Sequence, residues 1–189
     1  MSDPFLIGWD LGTARNGWCA GGGESTPVAG GFRLGRVTPD EIGDMGCEFS
    51  ARVMDVSKRY PQATHWISER PLLFMRATDD RPYADDRFKV ERLMGLSCLL
   101  QTIGRKLGKV CKMVEPGSAK MEFAGRHASK DMMVEMALAL GIELPEHDAD
   151  GREDAADACG VWKVGLRLFA RHHLQRFDGA IYTRRGSLV

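Results

Sequence analysis

The 189 residues, 43% of them apolar, suffice for one substantial core and are too few for two full domains. Twenty-six basic side chains balance 26 acidic ones, which excludes the bulk positive excess that would advertise a nucleic-acid partner, so any such affinity must come from local patches. Five cysteines, odd in number and without zinc-type pairing, exclude a disulfide framework or a zinc site, and no apolar stretch approaches bilayer length, so a cytoplasmic protein without membrane contact is expected.

Residues 5–9 form a short apolar run ended by Asp10 and Gly12, the pattern of a buried strand that delivers a polar residue at its tip. After a turn at 15–17, residues 18–20 and 28–37 read as further strands, with glycines 21–23 between them marking a hairpin. This start suggests an antiparallel meander. Thr38, Pro39 and Glu41 supply an N-cap, a first-turn proline and the return half of a capping box, which predicts a helix to about Arg59, stopped by Pro61. Residues 65–68 are a second short strand, and it delivers Glu69 before a proline that cannot extend a central ladder.

Residues 70–86 read as a charged loop, after which Phe88, Leu93, Leu96, Leu99, Leu100 and Ile103 carry a helical period. A strand is expected at 110–114 and an irregular basic loop at 116–128. Ser129 then caps a helix with Met132, Met133, Met136 and Leu140 on one face, a methionine stripe read as core. A last helix should begin near Asp154 and run past Phe169, giving one domain over 1–175 and a basic tail over 176–189. Trp18 and Trp162 are expected in the core. The alternation of elements predicts an α/β fold, a mixed sheet with helices packed on its faces.

Four carboxylates stand out by position: Asp10 and Glu69 at strand ends, Asp154 and Asp157 three apart at the start of the last helix and so on one helical face. Brought together, like charges raise each other's proton affinity, and a bound divalent cation reverses that cost. Hard oxygen ligands suit Mg²⁺, and two such ions can activate a water and stabilise a departing phosphodiester oxygen. The same residues also have a structural reading: Asp154 as an N-cap, Asp157 as a dipole partner, Asp10 and Glu69 as turn residues. Spacing alone leaves both open. Basic residues gather at 105–130 and 163–185, on either side of an acidic run at 143–157.

The run Gly8-Trp9-Asp10-Leu11-Gly12, followed by Gly17-Trp18, is similar to the opening strand and turn of RuvC-type Holliday junction resolvases, members of the ribonuclease H-like superfamily. Ile67-Ser68-Glu69 resembles the strand that ends in the family's second catalytic carboxylate, and Asp154-Ala155-Ala156-Asp157-Ala158 resembles its closing motif. Order and spacing agree across nearly the whole chain. The resemblance implies a ribonuclease H-like nuclease domain in which Asp10, Glu69, Asp154 and Asp157 hold two Mg²⁺ ions, with Mn²⁺ able to substitute. It also implies a crossover junction endodeoxyribonuclease, a homodimer that nicks four-way DNA junctions in pairs and leaves 5′-phosphate and 3′-hydroxyl ends.

Segment 115–130 resembles the family's DNA-approaching stretch, where Lys120 and Lys130 match its two lysines; Lys130 is the expected catalytic one. Arg70, Arg76 and Arg126 are further candidate DNA contacts. Leu72 stands where the family carries a base-stacking aromatic, which leaves Phe74 as the candidate for that role. A longer charged stretch at 76–92, with Trp9 and Leu11 at the strand tip, marks a divergent member, and a phage or mobile-element source is compatible with these departures. The helix at 88–103 is the expected dimer surface, although its apolar face also suits the core. Three other readings stay open: a YqgF-like ribonuclease on structured RNA, an actin-like ATPase suggested by the Asp-Leu-Gly-Thr string alone, and a catalytically silent branched-DNA-binding module.

Overall fold

The computed structural model describes residues 4–22, 25–35, 38, 41–71, 83–115 and 117–171. Phe74, Arg76 and the basic tail lie outside the described residues. Five strands form one sheet in the order β3-β2-β1-β4-β5: β1 is Leu6–Leu11, β2 Arg15–Gly21, β3 Val28–Arg33, β4 His65–Glu69 and β5 Val110–Val114. The first three make the expected antiparallel meander, and β4 and β5 add in parallel beyond β1. Parallel strands need crossover connections, which helices α1 (Ile42–Arg59) and α2 (Tyr83–Lys106) supply.

The sheet is covered on both faces. On one lie α1 and α2, packed over Ile7, Trp9, Trp18, Ala20 and Trp66. On the other lie α3 (Ser118–Phe123), α4 (Lys130–Ala139) and α5 (Arg152–Phe169), packed over Leu6, Cys19 and Ile67. The period of two along each strand sorts the residues: in β1, Ile7 and Trp9 face α1 and α2, while Leu6, Gly8 and Asp10 face α5. Trp18 and Trp162 are both buried, and the Trp162 indole donates to the Gly21 carbonyl at 3.0 Å.

Several expectations are corrected in detail. Strand β2 starts at Arg15 rather than Trp18, because Asn16 and Gly17 already pair with Leu11 and Asp10 of β1, and Arg15 with Arg33 of β3. Strand β3 stops at Arg33 rather than continuing to Val37: its last partner is Arg15, where β2 itself begins. The Thr38 amide and hydroxyl both donate to Glu41 Oε2, at 2.9 and 3.0 Å, yet α1 begins only at Ile42. The supposed irregular loop at 116–128 contains α3. Ser129 does cap α4, its hydroxyl accepting from the Met132 amide at 3.3 Å, but only Met133 of the stripe is fully buried; Met132 points to solvent. Leu96 and Leu100 of α2 belong to the core, while Met94 and Cys98 are exposed.

Candidate active site

Asp10 is the fifth residue of β1, on the face that meets α5. The parallel ladder from β1 to β4 ends with Trp9 opposite Ser68, so the next residues on each strand, Asp10 and Glu69, sit side by side at the C-terminal ends of these two interior strands. On the other flank Asp10 pairs with Gly17 of β2. That glycine has a packing reason. A Cβ at Gly17 would overlap the backbone carbonyl of Asp154, and one at Gly8 would overlap the backbone of Trp162. At these two points helix α5 therefore meets main chain rather than side chains, and its own contact face is made small by Ala155, Ala158 and Cys159.

This contact delivers the first turn of α5 over Asp10. Asp154 is buried there, and Asp157 follows on the same helical face. Asp154 is not the helix cap: Gly151, in the left-handed region at φ 85°, occupies that position. Glu69 is fixed from a third side, its Oε1 accepting from the amides of Gly117 (3.2 Å) and Ala119 (3.4 Å). Helix α3 is in turn tied to α5 by an ion pair from Arg167 to Glu122 at 2.6 Å.

The electrostatics follow from this crowding. Burial, then the charges of Asp157, Glu69 and Asp154, push the Asp10 carboxyl up to about 8, with Lys130 opposing. Asp10 keeps a partial opening to solvent, but most of its surroundings are protein and like charge. Burial also raises Glu69, against the two amide hydrogen bonds that hold its ionised form. Asp157 is raised by burial, with Lys120 and Lys130 pulling it down and Asp154 and Glu153 pushing it up. Its Oδ1 is buried without a hydrogen-bond partner. An orphaned buried carboxylate oxygen is expensive in an apoprotein and is a natural cation ligand.

The two expected lysines stand around this pocket. Lys120, on α3, acts on the charges of both Glu69 and Asp157. Lys130, the first residue of α4, places Nζ 2.9 Å from Glu153 and 3.7 Å from Asp154. Burial draws Lys130 down, but the Glu153 hydrogen bond and the charges of Asp154 and Asp157 more than offset it, so its affinity for its proton is raised. Arg126 is exposed in the turn between α3 and α4. Arg70 is engaged elsewhere, in an ion pair with Glu115 at 3.0 Å. Outside Lys130 lies an acidic groove of about 520 Å³ lined by Asp131, Glu135, Glu146, Asp148 and Glu153, among others.

Asp10, Glu69, Asp154 and Asp157 are the residues that could hold hard cations. Among the described residues no three acidic, histidine or cysteine side chains close on one point as a ready-made cage. Glu153 is the residue that sequence reasoning passed over. It appears in the text only as one acid in a run, and its link to Lys130 depends on how α4 meets α5.

Thermus thermophilus RuvC matches with a TM-score of 0.53 at 21% identity, covering 85% of this chain and 96% of that one. The fold is ribonuclease H-like, as in RuvC. The T. thermophilus RuvC complex with a Holliday junction substrate gives 0.55 at 20% identity, over 84% of this chain and 94% of that one. The yeast mitochondrial Holliday junction resolvase Ydc2 gives 0.51 at 13% identity, over 96% and 81%. No protein-family model and no curated protein sequence matches the chain. The RuvC-like sheet order and flanking helices are thus common to proteins with few residues in common. Among the described residues, no helix is long and apolar enough to cross a membrane.

Proposed function

We propose that the chain is a Mg²⁺-dependent, structure-selective endonuclease that resolves four-way DNA junctions as a homodimer. One observation carries the reading: carboxylates from β1, β4 and α5 meet on one face of the sheet, where burial first and the charges of Asp157, Glu69 and Asp154 second push the Asp10 carboxyl up to about 8. Such crowding is a standing cost in the metal-free protein, and divalent cations would remove it. The residues fit that group, since Asp157 offers a buried oxygen with no other partner. Asp10, Glu69, Asp154 and Asp157 would hold two Mg²⁺ ions, with Mn²⁺ as a substitute. Bound there, the ions would supply Lewis acidity at the phosphodiester and at the attacking water.

The protein's own groups do the rest. The main-chain contact of α5 with β1 and β2 fixes the acids relative to one another, and the two amides on Glu69 hold its carboxylate in one orientation. Lys120 and Lys130 offer compact positive charge to the phosphate whose negative charge grows during cleavage. Arg126, free toward solvent, serves the DNA backbone outside the pocket. A second copy related by twofold symmetry, meeting this one along α2, would present two equal sites to a nearly twofold junction. The similarity to T. thermophilus RuvC, which has been captured with a Holliday junction substrate, supports the same substrate.

End-labelled four-way junction, three-way junction, flap, duplex and matched RNA analogues, each with and without Mg²⁺, test the proposal. Paired Mg²⁺-dependent nicks in the four-way DNA junction, abolished by Asp10→Asn and Asp157→Asn, are the expected result. Preferential cutting of RNA would move the chain to the ribonuclease reading, and tight junction binding without cleavage to the silent-module reading. Retention of full activity by either variant would overturn the assignment of the site.

A further inference from the structure

Lys130 stands where a lysine is least at ease. As the first residue of α4 it lies at the positive end of that helix, which disfavours a cation, and its flexible four-carbon stem has many rotamers to lose. Two acids of α5 counter this, and they differ. Asp154 is buried and belongs to the carboxylate pocket, whereas Glu153 is partly exposed, lines the outer acidic groove and makes the shorter contact, 2.9 Å against 3.7 Å. Any cation bound in the pocket would draw on Asp154 and leave Glu153 as the anchor of the ammonium.

We propose that Glu153 is a positioning residue, a tether that keeps the Lys130 ammonium at the rim of the pocket so that it is aimed before a phosphodiester arrives. The inference rests on the nuclease reading above and extends it to a residue outside the four-carboxylate set. Preorganisation of this kind acts on the rate: an amine misplaced by an ångström costs on the order of 100-fold. Affinity moves the other way, because Glu153 is a negative charge beside a polyanion.

The test uses the full chain and Glu153→Gln, which keeps the shape and removes the charge. Under single-turnover conditions with saturating four-way junction and Mg²⁺, cleavage should fall about 10- to 100-fold. Junction affinity measured in Ca²⁺ should stay equal or tighten. In a Lys130→Ala background the same substitution should change nothing further, because its effect passes through the ammonium. In metal-free protein, NMR relaxation of the ¹⁵N-labelled Lys130 ammonium should show it less ordered in Glu153→Gln than in the wild type. Wild-type cleavage by Glu153→Gln at saturation, an equal loss in the Lys130→Ala background, or unchanged ammonium order would each overturn the proposal. Absence of cleavage by the wild type itself would bring down the nuclease reading and this inference together, a pattern distinct from failure of the variant alone.

Discussion

Asp10→Asn removes the costliest charge of the site, so it should stabilise the metal-free protein while destroying its proposed activity. In the unfolded chain Asp10 ionises near 3.8; in the folded one it holds its proton to about 8. A raised folded value contributes stability that is fully present below the unfolded pKa and is lost as pH rises through the folded one, because the folded state retains a proton the unfolded state has released. A rise of this size corresponds to at most about 6 kcal/mol. Solvent at the pocket's rim and sharing of protons among coupled carboxylates reduce that to about 2–4 kcal/mol. Asparagine has no such loss.

Urea unfolding in EDTA at about pH 5, 7 and 9 should therefore show Asp10→Asn gaining on the wild type with each step up to about pH 8, then holding its lead. Mg²⁺ should close the gap by stabilising the wild type alone, since ligand that binds the folded state adds stability by mass action. Equal pH dependence of the two proteins in EDTA, or a less stable Asp10→Asn at the highest pH, would refute the reasoning.

Gly17→Ala places a methyl group in the Asp154 carbonyl and should lose about 3 kcal/mol in thermal or urea unfolding, with cleavage falling alongside. Gly43→Ala, inside α1 with open space around its added methyl, should gain about 0.5–1 kcal/mol in the same assay. Lys120→Ala should leave unfolding within about 0.5 kcal/mol of wild type and lower Mg²⁺-dependent junction cleavage by about 10- to 100-fold. Removing the cap of α4 with Ser129→Ala should cost about 1 kcal/mol of stability, read by the same unfolding curves.

Much of the fold was legible because short-range signals and the sheet agreed. The apolar runs before Asp10 and Glu69 set both strand ends, whereas the sharing of one face by the two acids depends on the register of β1 against β4. The three-residue interval between Asp154 and Asp157 needed only helix geometry. Other features depend on partners far along the chain. The end of β3 is decided by where β2 begins, and the exposure of Met132 by how α4 lies on α5. Segment 116–128 looked irregular because it is basic and carries Pro116 and Gly117, yet its short helix is held by Glu69, which accepts from the amides of Gly117 and Ala119, and by Arg167, which pairs with the helix's own Glu122, two partners that no local pattern connects to it. Gly8 and Gly17 could be read as turn-formers or as family motif; their role as seats for α5 appears only once helix and sheet are together.

That seating has a consequence for how the molecule tolerates change. The gap between helix and strands is set in part by atoms that are missing, hydrogens on glycines where methyl groups would otherwise stand. Surrounding apolar residues can be exchanged for others of like volume without altering the separation of the four acids. The places where drift is least tolerated are positions with no side chain at all, Gly8, Gly17 and Gly31 on the strands and Gly165 on the helix.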